Sequence, residues 1–214
     1  MDLGRFIQYI ASGTAYTVSV SLIALPLGLA IGLVFSLLYV YGGKVLSFVM
    51  TIYSTVMRGI PPIVLLFILY FMVSGSVNLS PFWAGSISLG IVSSAYQMEI
   101  IRGALLSVSG GQMMAARAIG MSKLDAIQHV IIPQAFRLAI PPWSNEAAIV
   151  IKDSSLVYAL GVPEILRRAQ LISASTQQPF LAFITAGLIY FILVFITNQL
   201  LSRLEKRMRI PANP

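Results

Sequence analysis

Charged residues are missing from three long stretches of this chain. None lies between Arg5 and Lys44, between Arg58 and Glu99, or between Arg168 and Arg203. A soluble domain carries about 25% charged residues, whereas here 10% are charged and 57% hydrophobic. A chain with so few polar groups cannot cover a water-facing surface, so lipid is the solvent it is built for. About 20 apolar residues cross the hydrocarbon core as a helix.

The first uncharged stretch holds one long span, roughly 14–41. The second is too long for one helix and breaks at the turn formers from Ser74 to Pro81, which gives spans near 48–73 and 82–106. A fourth is expected near 138–160 and a fifth near 180–201. The expected fold class is therefore an all-α integral membrane protein with five transmembrane helices. The 214 residues form a single transmembrane domain, 1–214, with little left for a soluble one. Asp2 and the single Arg5 make a poor basic leader, and the apolar stretch after them is too long for a cleaved signal, so it reads as a retained first span.

Five spans put the two ends on opposite sides. One side receives Lys44, Arg102, Arg117, Lys123, Arg137 and the tail Arg203, Lys206, Arg207 and Arg209; the other receives Arg5, Arg167 and Arg168. The richer side is expected to be cytoplasmic, which puts the N-terminus outside and the C-terminus inside. That asymmetry also accounts for the net charge of +7 without nucleic acid. The basic tail then sits against anionic headgroups.

The one long polar connection, about 107–137, falls on the cytoplasmic side. Its Ala-rich part favours helix. Gly120 permits a turn, Ser122 caps a second helix from Lys123 to about Ile132, and Pro133 stops it. Between the fourth and fifth spans, 162–172 suits a surface helix with Pro163 in its first turn.

Several chemistries are excluded. There is no cysteine and one histidine, His129, so thiolate sites and a histidine metal cluster within one chain are ruled out. No phosphate-binding Gly-x-x-x-x-Gly-Lys-Ser/Thr exists: Gly43-Lys44 is followed by Val45 and lacks the earlier glycine. No nucleophilic triad is visible. The chain reads as non-catalytic.

The polar connection carries Gly111-Gln112-Met113-Met114-Ala115-Ala116, then Gly120, then Ile132-Pro133-Gln134-Ala135. This resembles the loop shared by membrane subunits of ABC importers, in which Glu-Ala-Ala is followed by Gly and a later Leu-Pro at fixed spacing. Met114 stands where that family usually has Glu. Gly13-Thr14, Thr17-Val18-Ser19, Gly28, Gly32, Arg58-Gly59-Ile60-Pro61-Pro62, Ala95-Tyr96, Glu99-Ile100, Arg102-Gly103, Arg137, Pro141, Asn145 and Lys152-Asp153-Ser154-Ser155-Leu156 extend the likeness along nearly the whole chain. They are similar to the polar amino acid (histidine, glutamine or arginine type) permease family.

That resemblance implies a subunit that forms the translocation path for polar amino acids and works by alternating access. It implies pairing with a second permease subunit, the same or a sister. A cytoplasmic ATP-binding-cassette ATPase dimer would hold ATP and Mg, and an extracytoplasmic receptor would deliver substrate. The location implied is the plasma membrane of a prokaryote, with no cofactor on this chain. Gln112, Met114, Ala115, Ala116, Gly120 and Pro133 would belong to the helix that couples to the ATPase. A permease for another small solute is the nearest alternative. A secondary transporter or a channel would need no such loop.

Candidate path residues follow from cost. An ionisable group at a helix centre is expensive and by default faces a bundle interior or water-filled cavity. Asn145 and Lys152 are seven apart on one face of the fourth span; Glu146 and Asp153 are seven apart on the adjacent face. Ser154-Ser155 is a place for the helix to unwind along a cavity. A buried structural network is the plainer reading of these residues. Tyr96, Glu99 and Arg102 share a face, and two readings stay open: Glu99 and Arg102 as a structural pair, or Glu99 facing the path. Arg58 either snorkels at a bent span start or helps shape the path. Gly28 and Gly32 permit close helix contact, within the chain rather than between subunits.

Overall fold

The structure, a computed structural model, describes residues 2–74, 79–108 and 110–208. Its elements, in chain order, are α1 (Leu3–Ala11), α2 (Thr14–Tyr41), α3 (Gly43–Gly59), α4 (Pro62–Ser74), α5 (Pro81–Ser107), α6 (Gly110–Ala118), α7 (Lys123–Ala126), a π-helical turn (Ile127–Ile131), α8 (Ile132–Asp153), a 3-10 segment (Ser154–Leu160), α9 (Ile165–Thr176) and α10 (Pro179–Met208). No strand occurs among the described residues. Residues 75–78 of the Ser74–Pro81 turn, and Arg209, lie outside them.

α5 is the central post. α2, α3, α4, α8 and the 3-10 segment all pack on it, and its partnership with α2 is the most extensive in the fold. Glycine explains the closeness. A Cβ on Gly32 would stand 2.8 Å from the Met98 amide nitrogen, and one on Gly28 would stand 2.5 Å from Gln97 Nε2 and 3.0 Å from the Gly90 carbonyl. The Gly-x-x-x-Gly stripe is thus an intrachain seat for α5, as expected.

Two differences from the sequence reading have physical causes, while the bend expected at Arg58–Pro62 is present and large. The axis of the second span turns by 110° between α3 and α4. Ile60 is extended and Pro61 follows it, so the helix cannot run through. Pro133 does not stop its helix. The π turn at Ile127–Ile131 leads into α8, and Pro133 lies in the first turn of α8, where an N–H is dispensable. Finally, α9 starts at Ile165, so Pro163 precedes the helix and Glu164 is the cap.

By length and apolar character, two helical stretches qualify as spans, Leu3–Tyr41 and Pro179–Met208, or three when the bent α3–α4 pair is counted as one. α5 and α8 do not qualify. Several of their polar side chains, among them Ser93, Gln97 and Glu146, are buried against other helices.

α9 is amphipathic. Ile165, Ala169 and Ile172 pack with Phe6 and Ile10 of α1 and Ala182 and Ala186 of α10. A separate apolar cluster lies at the other end, where Ile101, Ala104 and Leu105 of α5 meet Ile131, Ala135 and Ala139.

Candidate functional site

Between α5 and α8 lies a cavity of about 240 Å3 whose polar lining is Ser93, Tyr96, Glu146 and Asp153, with Leu89 and Ile149 among its apolar walls. Two periodicities build it. Glu146 and Asp153 are two turns apart on α8, and Ser93 and Tyr96 nearly one turn apart on α5. Glu146 is 4% exposed and accepts a hydrogen bond from Ser93 Oγ at 2.7 Å. Ser93 Oγ accepts one from Gln97 Nε2 at 3.1 Å. Gln97, fully buried, also donates to the Leu25 carbonyl at 3.2 Å and accepts from Trp143 Nε1 at 2.8 Å. A polar chain therefore runs Trp143–Gln97–Ser93–Glu146 through the middle of the bundle. The fixed donor gives a buried carboxylate the partner it requires.

Arg58, at the end of α3, places its guanidinium over the Tyr96 ring at 6.0 Å. The kink at Ile60–Pro61 ends the helix that carries it, so the bend and the cavity wall are neighbours. No lysine or arginine lines the cavity itself. Its chemistry is that of an acceptor of cations: two carboxylates, a serine and an aromatic ring in an otherwise apolar recess.

Glu99 belongs to a second cluster. Ser54 Oγ donates to its Oε1 at 2.7 Å, and Arg102 donates to its Oε2 through Nε at 2.8 Å and Nη2 at 2.6 Å. Arg102 also stacks on Tyr39 at 4.9 Å. Glu99 and Arg102 are thus paired, and their contacts with Ser54 and Tyr39 tie α3 and α2 to α5.

Asn145 and Lys152 are exposed and do not line the cavity. Ser154 is buried and donates to the Ile151 carbonyl at 2.7 Å, while Ser155 is half-buried. The helix does not unwind at these serines. It tightens into the 3-10 segment and ends at Gly161, φ +87. Of the expected path residues, Glu146 and Asp153 are brought together, with Arg58 one ring away. Sequence reasoning left out Ser93, Gln97 and Trp143. The signal available was a glutamine and serines inside an apolar span.

The coupling segment is built as its residues dictate. α6 ends in a Schellman motif: Gly120 at φ +90 is its left-handed residue, Met121 N–H bonds the Ala116 carbonyl at 3.1 Å, and Gly120 N–H bonds the Arg117 carbonyl at 3.1 Å. Ser122 and Asp125 form a reciprocal capping box at the start of α7. Those hydrogen bonds from Ser122 hold the Asp125 carboxyl below its usual range. Ala116 is buried, whereas Gln112 and Ala115 are exposed. Met114, Ile119 and Leu124 are 70%, 81% and 69% exposed, so the segment presents apolar side chains outward. Gln112 reaches Gln134 of α8 at 3.4 Å.

Comparison with known proteins follows the same outline. The profile of the family described as "binding-protein-dependent transport system inner membrane component" matches residues 6–210. The octopine transport system permease protein of Rhizobium radiobacter is 33% identical over 207 residues, covering 91% of this chain and 87% of its own. The glutamine transport system permease protein of Escherichia coli (strain K12) is 34% identical over 207 residues, covering 95% and 94%. Among solved structures, an amino acid ABC transporter crystallised with histidines superposes with a TM-score of 0.85 at 33% identity, covering 97% of this chain and 99% of that one. An inward-facing methionine ABC transporter superposes with a TM-score of 0.87 at 17% identity, covering 98% and 100%, which is a likeness of fold.

Proposed function

The chain belongs to the binding-protein-dependent transport system inner membrane components, and from that premise we propose that it is the membrane permease subunit of an ATP-driven amino acid importer, with the α5–α8 cavity on its translocation path. The observation that carries this reading is the cavity: two carboxylates, Glu146 and Asp153, meet Ser93 and Tyr96 inside the bundle of a membrane protein. A charged side chain at a helix centre costs about 2.5–3.5 kcal/mol on insertion scales. Two in one wall call for a compensating ligand or water, and an amino acid brings the ammonium group that carboxylates bind best. The glutamine and octopine permeases among its relatives carry solutes of that class.

In this reading the chain crosses the membrane five times. The bent α3–α4 pair is the second span, α5 the third, α8 with its 3-10 extension the fourth and α10 the fifth. The N-terminus is outside and the C-terminus cytoplasmic, in line with the Lys/Arg asymmetry. α6 and α7 dock on an ATPase dimer that binds ATP and Mg, and their outward Met114, Ile119 and Leu124 supply an apolar contact surface. A second permease subunit completes the membrane unit, and a receptor outside delivers substrate. ATPase closure moves α6 and α7 and rocks the spans about the midplane cavity. The chain does no chemistry on its substrate.

The test is reconstitution in proteoliposomes with the ATPase and receptor, with ATP-dependent uptake competed by a panel of amino acids. Asp153→Asn should raise the half-saturating substrate concentration while the complex still assembles. Ser93→Ala should cost about 1–3 kcal/mol of stability, because it strips a buried carboxylate of its donor. Unchanged transport per folded complex in Asp153→Asn would remove the cavity from the path.

A further inference from the structure

A second concave feature lies away from the carboxylate cavity. Leu33 of α2, Ile101 of α5, Ala139 and Trp143 of α8, and Leu201 and Leu204 of α10 line a groove open to the surroundings and apolar along its length. Its wall on α8 runs from Ile132 to Ser144, about 18 Å at the helical rise. One leaflet of a bilayer is about 15 Å of hydrocarbon, so the groove is as deep as one acyl chain is long.

Its mouth is cationic. Leu204 is 46% exposed, and Arg207 stands one turn beyond it on the same side of α10, with Arg203 beside it. On the α8 wall, Arg137 follows Phe136, about 7.5 Å beyond Ile132. All three arginines are exposed, and the one ion pair among the described residues is Glu99–Arg102, so none of the three is neutralised by a carboxylate. Glu205 is the one acidic residue in that turn.

We propose that this groove seats one acyl chain of an anionic phospholipid, with Arg203 and Arg207 holding the headgroup. An apolar slot as deep as a leaflet, closed at its inner end by Trp143 and rimmed by unpaired guanidinium groups, matches both halves of such a lipid. Arginine suits the headgroup because its donor fork binds phosphate in two places at once. The floor of the slot has a further consequence. Trp143 donates to Gln97, the same side chain that holds Ser93 against Glu146. A lipid that fixes Trp143 therefore also fixes the polar chain leading to the transport cavity. The site does not depend on which amino acid is carried.

The experiment uses the assembled transporter in nanodiscs of zwitterionic lipid, doped with phosphatidylglycerol or phosphatidylcholine carrying a photoreactive group in one acyl chain. Labelled peptides are mapped by mass spectrometry. The expected result is labelling by the phosphatidylglycerol probe concentrated on 132–144 and 200–208. Arg203→Gln and Arg207→Gln should each lower it by about fivefold, as one juxtamembrane charge is worth. Leu204→Asp, at an exposed position, should abolish it with an unchanged melting temperature. Equal labelling by both probes would overturn the proposal, as would labelling spread evenly to Phe191 and Phe195 and insensitive to Leu204→Asp. A Leu204→Cys variant that cross-links in high yield to a second copy would also overturn it, because the groove would then be a protein interface.

Discussion

Gly28 and Gly32 perform the same service four residues apart, yet their substitution should have different consequences. A Cβ at Gly32 meets backbone of α5, the Met98 nitrogen at 2.8 Å. Gly32→Ala should therefore act as overpacking, at about 1–3 kcal/mol, and read out as a lower melting temperature with normal uptake per folded complex. A Cβ at Gly28 meets the Gln97 amide at 2.5 Å. Gly28→Ala should displace that amide and disturb the Ser93–Glu146 contact, so uptake should fall by more than stability explains. Glu164 offers a pH-dependent test outside the spans. Fully buried at the head of α9, it accepts hydrogen bonds from the N–H groups of Leu166 at 2.8 Å and Arg167 at 2.6 Å and from the Tyr190 hydroxyl at 2.5 Å. Burial nonetheless pushes its pKa up. The unfolded carboxyl titrates at about 4.3. Above that value the folded chain keeps a proton that the unfolded chain has lost, so the contribution is full below it and declines as pH rises to the folded pKa. The melting temperature of Glu164→Gln should lack this decline when the two proteins are scanned side by side. Residue identity announced Glu146 and Asp153 as costly and neighbouring, because a seven-residue spacing is local information. It did not announce that Ser93 and Tyr96 of another helix would close the cavity, nor that Glu164 would be a buried cap.

Elements show the same division. The Gly120 turn and Ser122 cap were legible because capping is decided by a few adjacent residues, and both appear with their full hydrogen-bond patterns. Proline was legible as a perturbation and ambiguous in outcome. At Pro61 the preceding Ile60 is extended and the helix turns by 110°. At Pro133 a π turn absorbs the missing donor and the helix carries on. Next to Pro133, Ile131 and Ala135 pack against α5, a contact that no local pattern contains. The Schellman turn makes Gly120→Val a sharp test. A β-branched residue is strained at φ +90, so α6 and α7 should change their mutual angle. Co-purification of the ATPase should drop severalfold while membrane insertion is unaffected. Met114→Glu should leave co-purification intact, since the permease loop that this segment resembles usually carries Glu there, and Ile119 and Leu124 remain exposed for the apolar contact. Normal co-purification with Gly120→Val would separate this turn from docking.

At the scale of the whole molecule, composition identified the solvent and the helical class. It also made α5 and α8 look like ordinary spans, although α5 turns Ser86, Ser88, Ser93, Ser94 and Gln97 inward and α8 turns Glu146 inward. A helix whose polar stripe is covered by neighbours can cross lipid at low mean hydropathy, because what faces lipid is only its outer side. α5 has neighbours on nearly every side, so its hydropathy says little about its depth. Basic residues at the helix ends carry that information instead. The five-span reading requires 107–137 and the end of α10 to share one side, and α9 to lie on the other. An introduced cysteine reports this cleanly, because the chain has no native thiol to interfere. Ser122→Cys, exposed variants at Gln112 and Lys206, and Gln177→Cys at the C-cap of α9 form a sufficient set. With an impermeant maleimide on intact cells, the Gln177 variant should react and the other three should stay silent. After permeabilisation all four should react. If α8 did not cross, Gln177 would join the side of Ser122 and Lys206 would change sides, and an inverted chain would make Ser122 reactive in intact cells. Either pattern would overturn the orientation and, with it, the docking face assigned to Met114, Ile119 and Leu124, because an ATPase that uses cytoplasmic ATP can reach those side chains only from inside.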